Sequence, residues 1–112
     1  MNQQQIQLLN KMKKLIKEGK RTFEPRKDRD TYQDLMKLGI TVEEAWKQTL
    51  YLNKNFYYID PKPYYKQSIN SLTFKKRIKS KIAYIKLVLK ENDEVVVCWS
   101  FHEDNDKKKG SS

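Results

Sequence analysis

The sequence predicts an α+β domain, with N-terminal helices packed on a small, mostly antiparallel sheet. Three observations lead there. Apolar residues recur every three or four positions up to about residue 52, then at every second position from residue 56 onward. Helical patterns therefore precede strand patterns instead of alternating with them, which is the order of an α+β fold. At 112 residues the chain is long enough for one core, burying roughly 60–70% of its unfolded surface.

Residues 3–18 read as the first helix. Ile6, Leu9, Met12 and Ile16 form one stripe, Leu8 and Leu15 widen it, and Gly19 fits a left-handed cap. Residues 20–29 are a polar connection containing Pro25, expected to be mobile unless a ligand orders it. Asp30 opens a second helix with Gln33 three residues on, and Gly39 closes it. Thr41 and Glu44 repeat the start signal for a third helix reaching about residue 52. Phe56–Asp60 then reads as a strand stopped by Pro61 and Pro63, and residues 64–71 read as loop. Leu72–Ile78, Ile82–Leu89 and Val95–His102 read as further strands. Residues 1–102 thus form one domain, and 103–112, without an apolar residue, a solvated tail.

In the last two strands the odd-numbered residues are uniformly apolar: Ala83, Ile85, Leu87 and Leu89, then Val95, Val97, Trp99 and Phe101. They are expected to form one core face. A three-residue loop Glu91-Asn92-Asp93 keeps both odd sets on that face, with Asn92 or Asp93 left-handed. Tyr84 then pairs with Ser100 and Ile82 with His102, leaving His102 diagonal to Tyr84. The other face carries Tyr84, Lys86, Ser100 and His102: a phenol, a cation, a hydroxyl and a proton-transfer group.

Twenty-four Lys+Arg against fourteen Asp+Glu give a net charge of +10. Residues 54–90 hold ten basic and one acidic residue (net +9), and residues 11–29 hold nine and three (net +6). These blocks are interleaved with apolar positions, so they belong to folded elements, and their expected partner is a polyanion. One cysteine, Cys98, and one histidine exclude an internal disulfide and a zinc ribbon. No phosphate-binding glycine motif and no serine elbow occur. No apolar run approaches membrane-spanning length and no secretory signal is visible, so a cytoplasmic protein that needs no metal or cofactor is expected.

RNA cleavage fits this set. The 2′-hydroxyl beside the scissile phosphate is the nucleophile. The protein need only move protons and hold charge. His102 and Tyr84 are candidates for proton transfer. Lys86, Lys75, Lys76 and Arg77 are candidates for holding phosphate. Tyr64 and Tyr65, interleaved with Lys62 and Lys66, are candidates for stacking on unpaired bases. A non-catalytic RNA- or DNA-binding module would use the same features, and a domain docking an acidic protein is a third class.

Residues 8–102 also resemble the MqsR family of toxins from bacterial type II toxin–antitoxin systems. The matching features, in order, are the basic first helix ending in Gly19, Leu38-Gly39-Ile40-Thr41, the Phe56-Tyr57 pair, and Phe74 in a basic strand. Tyr84-Ile85-Lys86-Leu87 and Val97-Cys98-Trp99-Ser100-Phe101-His102 complete them. The resemblance implies a RelE-like ribonuclease toxin architecture. It implies a metal-independent endoribonuclease (an mRNA interferase) cutting mRNA, free or on the ribosome, and a cognate antitoxin protein. The family's site of Lys, Gln, Tyr and Lys falls here on Tyr58, near Ser71, on Tyr84 and on His102. Only the tyrosine is kept as such. Lys62 and Lys66 are the candidates to replace the first lysine.

Overall fold

The computed structural model describes residues 1–24, 30–59, 70–90, 92 and 94–104. The predicted loop over 64–71 and the tail from 105 lie almost wholly outside these. Among the described residues the fold is α+β, three α-helices and a four-stranded mixed sheet. In chain order the elements are α1 (Gln3–Lys17), β1 (Arg21–Phe23), α2 (Thr31–Leu38), α3 (Val42–Thr49), a 3₁₀ turn at Lys54–Phe56, β2 (Ser71–Ile78), β3 (Lys81–Lys90) and β4 (Val95–Glu103).

The helices start where capping chemistry allows. Asn2 accepts from the Gln5 amide while the Gln5 side chain accepts from Asn2, a reciprocal box. Thr41 and Glu44 do the same for α3. These bonds to Thr41 hold the exposed Glu44 carboxyl below its ordinary pKa. Asp30 caps α2 by accepting from Tyr32 and Gln33. Gly39 closes α2 at φ +81°, a left-handed conformation that glycine adopts without strain.

The sheet order is β1-β4-β3-β2, with β2–β3 and β3–β4 antiparallel and β1–β4 parallel. β1 corrects the expectation of a polar connection over 20–29, and its pairing is the parallel one in a sheet that is otherwise antiparallel, as expected. Its three residues hold one apolar side chain, too few to show a period. Phe23 packs its ring 4.7 Å from that of Trp46. Arg21 lies 5.5 Å over the same indole and donates to the Ile16 carbonyl at 3.1 Å. The strand expected over Phe56–Asp60 does not form in its described part, residues 56–59. Asn53 accepts from the Asn55 amide and turns the chain into a 3₁₀ step, so only one isolated bridge, Tyr57 with Phe74, joins it to β2.

One sheet face meets the helices. Leu9, Met12 and Ile16 of α1, Leu35 of α2 and Trp46 of α3 close over Phe74, Ile85, Leu87, Val96 and Phe101. The register of β4 differs from the sequence prediction. Near the turn Leu89 pairs with Val96 and Leu87 with Cys98, so even-numbered residues of β4 face the core. Between Leu87 and Lys86 the register shifts, leaving Trp99 as an extra residue, and beyond it Ile85 pairs with Phe101. Uniform alternation in β4 is therefore corrected: Val96 and Cys98 join the core, not Val95, Val97 and Trp99. Asn92 takes the left-handed position (φ +58°), as expected, but four residues, not three, separate the last pair, Lys90 and Val95.

The β2–β3 turn is fastened to the end of α2. Lys79 donates to the Gly39 carbonyl and Lys81 to the Lys37 carbonyl, two carbonyls at the helix C-terminus. Replacing Phe101 by alanine is expected to cost ~3–5 kcal/mol in denaturant unfolding. Thr22→Ala at the exposed sheet edge is expected to stay within ~0.5 kcal/mol. A small loss at Phe101 would contradict the shifted register.

Candidate nucleic-acid interface on the open sheet face

The face away from the helices is a grid of side chains set by the β2–β3–β4 register. Thr73, Lys86 and Ser100, all buried, form one row, and the half-buried Lys75, Tyr84 and His102 the next. Arg77 and Ile82 pair in a third row, which Asp104 joins because its N–H donates to the Ile82 carbonyl at 2.7 Å. Successive rows are about 7 Å apart, two residues along a strand.

The bulge at Trp99 decides the middle row. It brings Tyr84 and His102 directly opposite each other instead of diagonal. Their rings stack nearly parallel, with centroids 5.4 Å apart and planes at 16°. His102 Nδ1 lies 2.9 Å from the Glu103 carbonyl. A carbonyl only accepts, so this contact assigns the proton to Nδ1 and the basic lone pair of the neutral ring to Nε2.

A second aromatic comes from outside the sheet. The Tyr58 N–H donates to the Thr73 carbonyl at 2.9 Å, fixing Tyr58 beside β2. Its ring meets Tyr84 edge-on, 6.3 Å between centroids. The Lys75 ammonium sits 3.9 Å from the Tyr58 ring centroid and 3.0 Å from Asp104 Oδ2. His102, Tyr84, Tyr58, Lys75 and Asp104 thus form a chain of contacts that leaves β4 at His102 and returns to the backbone two residues later, just past the strand.

The predicted site residues divide. His102, Tyr84, Tyr58 and Lys75 come together, and Arg77 stands exposed in the next row. Lys86 shares the face but is buried, 5% exposed, with its ammonium 5.6 Å from the Trp99 ring. It is therefore not a solvent-facing phosphate holder. Ser71 pairs with Val88, two rows from Tyr84, or about 13 Å along the strand. Lys76 is corrected outright. Alternation puts it with Ala83 on the helix side, where it donates to Gln48 Oε1 at 2.8 Å and lies 5.4 Å from the Phe56 ring. Lys62, Tyr64, Tyr65 and Lys66 lie outside the described residues. Asp104 was not expected, since the sequence after His102 reads as solvated tail. The signal that locates it is alternation continued two residues beyond His102.

Among the described residues no group of three His, Cys, Asp or Glu side chains converges to hold a metal ion. No helix is long and apolar enough to cross a membrane. No protein-family model matches the chain, and no curated protein matches it significantly. Geometry and charge alone carry the reading of this face.

Cys98 sits on the opposite, core side and its Sγ donates to the Ser100 carbonyl at 3.2 Å. Burial pushes its thiol pKa far above the ordinary range, so it stays a thiol at neutral pH. A maleimide at about pH 8 is expected to leave the native protein unlabelled and to label Cys98 only once denaturant unfolds it. Rapid native labelling, followed by mass, would refute this placement.

Proposed function

We propose that the chain is an endoribonuclease cutting single-stranded RNA through its own 2′-hydroxyl. In this reading it is a cytoplasmic, RelE-like toxin similar to the MqsR family, held in check by a cognate antitoxin protein. The observation that carries the reading is the direct opposition of Tyr84 and His102 on a sheet face flanked by Lys75 and Arg77.

The chemistry follows from what such a pair can do. Neutral His102 takes the 2′-hydroxyl proton at Nε2. The 2′-oxygen bonds to phosphorus as the bond to the 5′-oxygen breaks. The Tyr84 phenol gives its proton to that leaving oxygen. The products are a 2′,3′-cyclic phosphate and a 5′-hydroxyl, and proton exchange with water resets both side chains. Lys75 and Arg77 supply positive charge as negative charge gathers on the phosphate oxygens. Tyr58, edge-on to Tyr84 and under Lys75, keeps the phenol and the ammonium in one place. This carry-over differs from the family pattern, where lysines stand at the positions of Tyr58 and His102.

The alternative is a basic module that binds RNA or DNA without cutting it. It would use the same basic and aromatic side chains and needs no proton transfer at His102. The two readings separate when the purified chain is incubated with RNA in EDTA. Cyclic-phosphate products are expected from the wild type. His102→Ala and Tyr84→Phe are each expected to slow cleavage by about 10²–10⁴-fold while RNA binding stays within about twofold. Induced expression is expected to arrest growth, and both variants to relieve it. Salt-dependent binding with no cleavage would assign the chain to the alternative. Cleavage at wild-type rates by both variants would remove these residues from the mechanism.

A further inference from the structure

The charge of α1 has a single sign: four lysines and no acidic residue fall between Gln3 and Lys17. Leu9, Met12 and Ile16 turn one side of the helix into the core, so its other side looks away from the sheet and from the Tyr84–His102 face. Gln3, Gln7, Asn10, Lys14 and Lys17 recur at three- and four-residue spacing along that outer side, and all five are exposed. The stripe runs about 21 Å, at ~1.5 Å per residue. Its first three members are amides and its last two are ammoniums. None of the five side chains has a hydrogen-bond or ion-pair partner among the described residues. A solvated helix face is ordinarily of mixed sign, because Glu–Lys pairs four residues apart stabilise it and like charges at that spacing destabilise it. Lys13 and Lys17 are such a like-charged pair. Burial, and then the charge of Lys17, lower the Lys13 ammonium pKa. An anion set against Lys17 offsets that repulsion.

We propose that the outer face of α1 docks base-paired RNA, a second contact surface on the side of the sheet opposite the candidate site. The inference rests on the reading of the chain as one that acts on RNA. A site for an unpaired strand combines cations with aromatic faces on which bases stack. α1 has no aromatic residue, so it offers an unpaired base nothing and suits a duplex whose bases are already stacked. Lys14 and Lys17 match phosphates. Gln3, Gln7 and Asn10 match the 2′-hydroxyls that line the wide, shallow minor groove of A-form RNA. Each amide both donates and accepts, and so does each hydroxyl. A DNA duplex presents the phosphates without the hydroxyls. The open sheet face then takes an unpaired strand, and α1 a neighbouring stem.

The test uses the full chain and two blunt duplexes of about 16 bp, one of RNA and one of DNA in the same sequence. Neither presents an unpaired base. Wild type is expected to bind the RNA duplex roughly tenfold tighter than the DNA duplex. The double variant Lys14→Gln/Lys17→Gln loses two phosphate contacts. Its slope of log affinity against log salt is expected to flatten by about 2, and its affinity to fall at least ~10-fold. The double variant Gln7→Ala/Asn10→Ala is expected to keep the wild-type slope and to bring the two duplexes within about twofold of each other. Glutamine and alanine are good helix formers, so these exposed changes keep α1 folded, which thermal melting checks. No duplex binding by the wild type, or an unchanged salt slope in folded Lys14→Gln/Lys17→Gln, overturns the surface. Equal wild-type affinities for the two duplexes overturn its assignment to RNA. Cleavage of a short unpaired RNA, scored separately, divides this claim from the nuclease. Cleavage without duplex binding sinks the α1 surface and leaves the nuclease. Duplex binding without cleavage supports the surface and sinks the nuclease.

Discussion

Side chains alternate along a strand, so one extra residue reverses every side chain beyond it. β4 contains such a residue, Trp99, between the Leu87–Cys98 and Lys86–Ser100 pairs. On the turn side of the bulge Val96 and Cys98 point into the core. Beyond it Phe101 does, and His102 is left on the open face opposite Tyr84. Without the shift, a β4 that buries Val96 and Cys98 would also bury His102 and expose Phe101. Packing and site are therefore not separate achievements of this sheet. The apolar demand for Phe101 holds the histidine in its row, and a fully buried aromatic is expensive to turn out.

The other end of the open face is fixed from the helix side. Lys79 and Lys81 reach from the β2–β3 turn to carbonyls at the end of α2. The next residue along β3, Ile82, accepts from the Asp104 N–H, so the tail is tied to a turn that is itself tied to a helix. Gly39 is part of this arrangement: it takes a left-handed φ, and the Lys79 side chain lies 3.4 Å from where a Cβ would be. The contact chain from His102 through Tyr84, Tyr58 and Lys75 thus ends at Asp104, just past β4, where the backbone is tied to Ile82.

Much of this was legible in the residues, and the failures have physical causes. Capping chemistry is local, so the starts at Asp30 and Thr41 and the stop at Gly39 could be read directly. Long apolar runs in β3 and β4 show a strand whatever their register. The bulge could not be read, because β4 carries apolar residues at odd and even positions alike and its alternation decides nothing. β1 is too short for a period and exists through tertiary contacts with Trp46 and β4. At Phe56–Asp60 the aromatic content suggested a strand, while Asn53 bonded the local backbone and won. The shared face of Tyr84, Lys86, Ser100 and His102 was correct even though the pairing behind it was not.

The charge of the chain changes meaning once it is distributed in space. The net +9 of residues 54–90 includes Lys76, which bonds Gln48 on the helix side, and Lys79 and Lys81, which bond helix carbonyls. On the face away from the helices Lys86 is buried and Lys75 meets the Asp104 carboxylate, so neither stands as a fully solvated cation. The field of the excess charge reaches a screening length of about 8–10 Å from the surface. An acidic residue in a basic site looks like a defect when charges are summed. Here Asp104 holds the Lys75 ammonium, 3.0 Å from its Oδ2, at the end of the row that carries Tyr84, and so fixes where that charge sits.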